Sequence, residues 1–354
     1  MPIFETDIRL HDRYLMERFT YGSLAFTGEP VQKKGYIEYR NARIKPDTFQ
    51  PDFTVISLDV ECSAKGELYS VGLHGKNLDT VIMVGEPEQP VSDDLHIIWV
   101  DNELSLLESL IHEIADYDPD IFIGWNIINF DFRLLAKRAG LYKLPLSLGR
   151  GGQSCHWRER TNETGQGFVS IPGRVVIDGI DAMKSATWHF DSFSLESVSR
   201  ALLGKGKAVD DVDNRLEAIT QDFLYNKQKL AAYNLQDCRL VSEIFEKTRL
   251  LDYLRLRSEL TGLELDRMGG SVQAFTNLYL PKLHRSGYVA PNLPDHGGLA
   301  SPGGYVMDSV PGLYNNVLVL DQSRAALGSL LTLTNTVASA GVSALSIVGT
   351  TSTS

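Results

Sequence analysis

The chain holds 354 residues, enough for about two or three domains of ordinary size. Hydrophobic residues make up 43% and charged residues 22%, and 45 acidic against 34 basic side chains leave a formal net charge of −11. That balance excludes a protein that holds nucleic acid by bulk positive charge, but it leaves room for a nucleic-acid enzyme with a local basic track and bound cations. In chain order, residues 1–50 are polar and mixed, with short β-like runs at Ser23–Thr27 and Gly35–Tyr39. The β-branched run Phe53–Val60 predicts a buried strand, and Leu68–Leu73, Thr80–Val84 and His96–Val100 predict more. Glu103–Tyr117 carries apolar residues at helical spacing, stopped by Asp118-Pro119. Asp120–Trp125 predicts a further buried strand, and Asp131–Ala139 a helix ended by Gly140. The glycine-rich stretch 147–173 predicts a long loop or loose hairpin, followed by a strand at Arg174–Asp178. Ser194–Leu203, Lys229–Leu250 and Gly270–Leu283 carry helical patterns. The predicted fold class is α/β, a mixed sheet flanked by helices, with a β region before it and a helical segment after it.

Three short patterns carry chemistry. Asp59 and Glu61 lie two apart at the end of the apolar strand VISLDVEC, so period-two geometry points both carboxylates to one face. Asp131 follows Asn126 and Phe130 in NIINFD, just after the strand DIFIGW. Tyr233 and Asp237 are four apart in YNLQD and share one helix face. Alone, the first pattern reads better as a solvated strand end and the third as a helix-surface aspartate with a half-buried tyrosine, while a helix-start aspartate competes with the second. Together they supply four carboxylates from separate elements. Clustered carboxylates resist joint ionisation unless hard cations sit between them, and an oxygen-only donor set favours Mg²⁺ or Mn²⁺. Two such ions suit the in-line hydrolysis of a phosphodiester. A tyrosine hydroxyl, which ionises near pH 10 in the free side chain, suits holding the attacking water better than abstracting its proton.

DVE, NIINFD and YNLQD, in this order, resemble the three exonuclease motifs of the family B DNA polymerases, and the stretches GELYSVGL, YDPDIFIGWN, VVIDGIDAMKSA, FSLESV and GYVAPNL resemble bacterial members of that family. The resemblance implies an RNase H-like DEDD nuclease fold, of the subclass with tyrosine four residues before the last aspartate. It implies a 3′→5′ exonuclease with Asp59, Glu61, Asp131 and Asp237 as metal ligands for two divalent cations, Mg²⁺ or Mn²⁺, and with Tyr233 orienting water. It also implies that Asn126 and Phe130 touch the terminal nucleotides. The expected organisation is a remnant of an N-terminal domain at 1–50, the exonuclease domain at 51–250, a helical linker at 251–300, the start of a polymerase palm at 301–321 and a low-complexity tail at 322–354.

The chain departs from the family after Val317–Asp321, which looks like the first palm strand. From Gln322 onward the match stops, and the sequence becomes uncharged beyond Arg324 and rich in Ser, Thr and Ala. No second palm carboxylate motif follows, so primer extension is not expected, and the shift is what a frameshift or gene break would produce. That stretch is too mixed to predict a membrane span.

Arg133, Lys137, Arg138, Lys143, Arg150, Arg158 and Arg160, with Glu159 the one acid interspersed, form a basic patch next to Asp131 in sequence. Arg133, Lys137 and Arg138 are the expected DNA contacts, a phosphate track for a single-stranded or frayed 3′ end. A solvated helix face with a flexible loop explains the same charges. Cys62, Cys155 and Cys238 are too few and too odd in number for a disulfide scaffold, and the charged N-terminus lacks an export signal. The expectation is a cytoplasmic, nucleoid-associated monomer acting on DNA, with no membrane partner and no readable sliding-clamp contact. An inactive remnant or DNA-binding module is the alternative.

Overall fold

The computed structural model describes residues 3–88, 95–161, 163–205 and 215–292. The chain divides into two compact units, Met1–Pro291 and Asn292–Ser354. Apart from Asn292, the second unit lies outside the described residues, and with it the expected palm strand, Asp321 and the tail.

The first unit begins with α1 (Leu10–Met16) and a hairpin of β1 (Leu24–Lys33) and β2 (Tyr36–Pro46). It continues with β3 (Val55–Cys62), β4 (Leu68–Gly75), β5 (Leu78–Val84), β6 (His96–Val100), α2 (Glu103–Tyr117) and β7 (Ile121–Gly124). A π-helical turn at Ile128–Phe132 leads into α3 (Arg133–Leu141), then β8 (His156–Arg160), β9 (Glu163–Ser170), β10 (Val175–Asp178) and α4 (Gly179–Ser185). The remaining helices are α5 (Leu195–Leu203), α6 (Arg215–Tyr225), α7 (Lys227–Thr248), α8 (Leu250–Thr261) and α9 (Ser271–Arg285).

Six strands form one mixed sheet in the order β10-β7-β3-β4-β5-β6. β3 is central, antiparallel to β4 and parallel to β7. Its alternation separates two cores. Ile56, Leu58 and Val60 pack with Leu106 and Leu110 of α2 and Leu135 of α3. On the other side of the sheet, Ile121, Ile123 and Ile177 pack with Leu240, Val241 and Ile244 of α7 and Val198 of α5. A parallel β3–β7 pair with helices on both faces fits the near-continuous apolar runs of these strands. The result is the α/β sheet flanked by helices that the sequence predicts, and it agrees with the RNase H-like expectation.

Two helix boundaries differ from the sequence reading. Gly140 does not end α3, which runs on through Leu141, because a glycine inside a helix is only moderately unfavourable and Leu135 and Ala139 anchor this one in the core. The helical pattern over Lys229–Leu250 resolves into α7 and α8, which meet at Arg249 in a left-handed conformation (φ 52°). The glycine-rich stretch contains the β8–β9 hairpin. At the N-terminus, Glu5 and Glu17 hold His284 of α9, and Glu17 also accepts from Arg285 at 3.1 Å, tying the first residues to the last described helix.

Candidate active site

The site forms where α7 crosses the sheet. β3 pairs with β7 only from Val55 to Ser57, so it runs on alone past that edge, while Asp59 and Glu61 remain paired with Gly72 and Ser70 of β4. α7 starts at a capped end, where the Asn226 side chain accepts from Lys229 N at 3.2 Å. It can lie close on the sheet because Gly72 has no side chain. A Cβ there would sit 3.0 Å from Asn234 Cγ and 3.0 Å from Cys238 Sγ. Both distances are tighter than ordinary van der Waals contact, so a side chain here would have to push its neighbours on α7 back by a few tenths of an ångström, and the glycine lets the helix sit close.

That approach brings Asp237 to the end of β3. Asp59, Glu61 and Asp237 each offer a carboxylate oxygen, and these oxygens lie within 4.8 Å of one another. Glu61 and Asp237 are buried, at 5% and 1% exposure. With Asp59 half-buried beside them, these acids are costly as bare charges so close together, and an oxygen-only donor set at this spacing fits a hard divalent cation. Tyr233 is also buried, one helical turn before Asp237, and belongs to the apolar cluster of Tyr69, Val81 and Leu230.

Asp131 is held differently. It sits in the π-helical turn, is 1% exposed, and its Oδ1 accepts from Val60 N at 2.9 Å. The Val60 amide lies beyond the reach of β7, and Asp131 satisfies it. Burial, with the Asp59 charge beside it, pushes the Asp131 carboxyl well above the usual carboxylate range. The sequence reading places four carboxylates in one cage. The structure gathers three, with Asp131 next to Asp59 but outside the group whose oxygens converge. Behind Asp131, Asp178 caps α4 by accepting from Ile180 N at 3.0 Å, and burial raises its carboxyl to about 6.

The rim is open. Asn126 is exposed in a left-handed conformation (φ 64°), and Phe130 is 46% exposed. Arg133 and Lys137 are exposed on α3, with the Arg133 guanidinium 5.5 Å from the centre of the Trp157 ring. Arg158 and Arg160 both lie over Phe168, at 5.1 and 4.8 Å. Arg138 departs from the expectation. Its Nε donates to Glu103 Oε1 at 2.6 Å and its second edge to Glu103 Oε2, in a pair that Tyr142 joins at 2.8 Å. This guanidinium is spent inside the protein, tying α3 to the first turn of α2, so it leaves the proposed phosphate track. Arg150 is likewise engaged, with Asp118 at 2.9 Å and Asp120 at 2.8 Å. Trp125 donates from Nε1 to Phe193 O at 2.8 Å and packs as a structural residue.

Sequence reasoning missed Asn234, Ser70 and Gly72. Asn234 stands inside YNLQD, three residues before Asp237, and helical spacing alone puts it on the same side. Burial raises the Cys62 thiol to about 11, with the Glu61 charge adding to it, so this cysteine beside the site is a protonated packing residue.

Residues 1–198 match the exonuclease-domain model of DNA polymerase family B. The chain is similar to DNA polymerase II of Escherichia coli K12, with 47% identity over 323 residues that cover 91% of this chain and 41% of the relative. It is also similar to a DNA polymerase of Archaeoglobus fulgidus, with 28% identity over 328 residues, 90% of this chain and 38% of that one. The solved family B DNA polymerase of Pyrobaculum calidifontis superposes with a TM-score of 0.62 at 20% identity, over 88% of this chain and 40% of that one, a likeness of fold. The chain thus spans about two fifths of the length of these relatives. Among the described residues, no helix is long and apolar enough to cross a membrane. The match over residues 1–198 and the identity across nine tenths of the sequence establish that the chain belongs to the family B DNA polymerases and carries their exonuclease domain.

Proposed function

We propose that this chain is a 3′→5′ exonuclease that hydrolyses phosphodiesters from single-stranded or frayed 3′ ends of DNA, the proofreading activity of its family. The convergence of Asp59, Glu61 and Asp237 at one point carries the reading. These three carboxylates would hold one divalent cation, and Asp131, beside Asp59, would join Asp59 in holding a second. Bound divalent ions supply charge stabilisation for the attacking and leaving oxygens. Tyr233, buried on the same helix one turn from Asp237, positions the attacking water through its hydroxyl. Asn126 and Phe130 receive the terminal nucleotides, and Arg133 and Lys137 hold phosphates farther along the strand.

The deciding experiment incubates the purified chain with a 5′-labelled single-stranded oligonucleotide in Mg²⁺ and in EDTA. The expected result is a ladder of progressively shorter labelled products in Mg²⁺ and intact substrate in EDTA. A DNA complex that forms in Mg²⁺ without any shortening would instead favour the binding-module alternative.

A further inference from the structure

Asn234 is fully buried, and each polar atom of its amide has a defined partner. Its Nδ2 donates to Asp59 Oδ2 at 2.7 Å and to the Asp59 carbonyl oxygen at 3.2 Å. Its Oδ1 accepts from Ser70 Oγ at 2.9 Å, and Ser70 is fully buried as well. The amide can face only one way. Both Asp59 atoms are acceptors, so the nitrogen must point to them, and the oxygen accepts from the Ser70 hydroxyl. The same side chain packs over Gly72, the position where a Cβ would crowd it. One residue therefore reads the backbone of β3, one carboxylate oxygen of Asp59 and a hydroxyl of β4. It does so from the helix that supplies Tyr233 and Asp237.

We infer that Asn234 is a positioning residue for the metal site. By fixing one oxygen of Asp59, it aims the other at the point where Glu61 and Asp237 converge, and Ser70 anchors the amide oxygen. This rests on the nuclease reading above and adds a supporting contact to it. Hydrogen bonds of this kind to a ligating carboxylate typically change metal affinity by about 10- to 100-fold when removed.

The test is Mn²⁺ binding by the metal-free chain, followed by calorimetry or by loss of the free-ion EPR signal, with no DNA and no turnover involved. Thermal unfolding in EDTA reports fold integrity separately. Asn234→Ala is expected to weaken Mn²⁺ binding about tenfold or more. Ser70→Ala, which leaves the carboxamide bonded to Asp59 but removes the donor that anchors its oxygen, is expected to weaken it about threefold. A folded Asn234→Ala with parental Mn²⁺ affinity would overturn the inference and leave the nuclease reading standing. Should Asn234→Ala fail to fold, Ser70→Ala decides by itself, with parental affinity counting against the inference. A parent chain that binds no Mn²⁺ would remove the nuclease reading and this inference together.

Discussion

Asp237 and Glu61 are almost sealed where α7 crosses β3, at 1% and 5% exposure, whereas Phe130, in the turn that carries Asp131, and Phe168, next to the Gly167 amide that donates to Asn129 of that turn, stand 46% and 43% exposed. In the corner, polar atoms are held by fixed partners from distant elements, with Asn234 on Asp59 and Val60 N on Asp131. On the rim, cations lie over aromatic rings and face solvent, as Arg158 and Arg160 do over Phe168. The contrast separates two tasks. Under the proposed nuclease reading, charges that must stay in place for chemistry are buried and braced, and groups that must accept varied nucleotides are left open and adaptable.

If the corner does the chemistry, removing one of its acids has the largest effect. Asp237→Ala is expected to lower the rate of shortening of a labelled oligonucleotide about 1,000-fold or more, since losing a metal ligand removes several kcal/mol of transition-state stabilisation. Tyr233→Phe keeps the packing of the ring and loses only the hydroxyl. It is expected to slow turnover about 100-fold with Mn²⁺ binding unchanged, and an unchanged rate would remove its role. The smallest effects come from α3, where two arginines in one short helix divide between the two tasks. Arg138→Ala leaves Glu103 buried with Tyr142 and the Leu68 amide but without its countercharge, and is expected to cost about 3 kcal/mol, lowering Tm by about 5 °C. Arg133→Ala is expected to leave Tm unchanged and raise KM for single-stranded DNA about threefold. The opposite outcomes would mean that the division drawn within α3 is wrong.

Much of the corner was legible in the sequence because its logic is local. The period of a strand puts Asp59 and Glu61 on one face, and the pitch of a helix puts Tyr233 and Asp237 on one face. The bounds of α2 follow from its apolar spacing and the Asp118-Pro119 stop, and the structure places it at Glu103–Tyr117. What was not legible depends on partners far along the chain. Arg138 looks like part of a basic patch until Glu103, 35 residues earlier, takes both edges of its guanidinium. Asn234 looks like filler in YNLQD until Asp59, 175 positions away, is laid against it. Gly140 carries the usual sign of a helix end, but the buried neighbours Leu135 and Ala139 hold the helix through it. Asp131 matches its motif, yet its engagement with the Val60 amide depends on where β7 stops pairing with β3, which no local pattern records.

The central claim is that Asp59, Glu61 and Asp237 share a divalent cation. Crystals of the chain soaked in Mn²⁺ and measured at the manganese absorption edge test it most directly. The expected result is an anomalous peak between these three carboxylates, within about 2.2 Å of an oxygen from each. A map with no peak there, or with manganese bound only at other acidic surfaces, would contradict it.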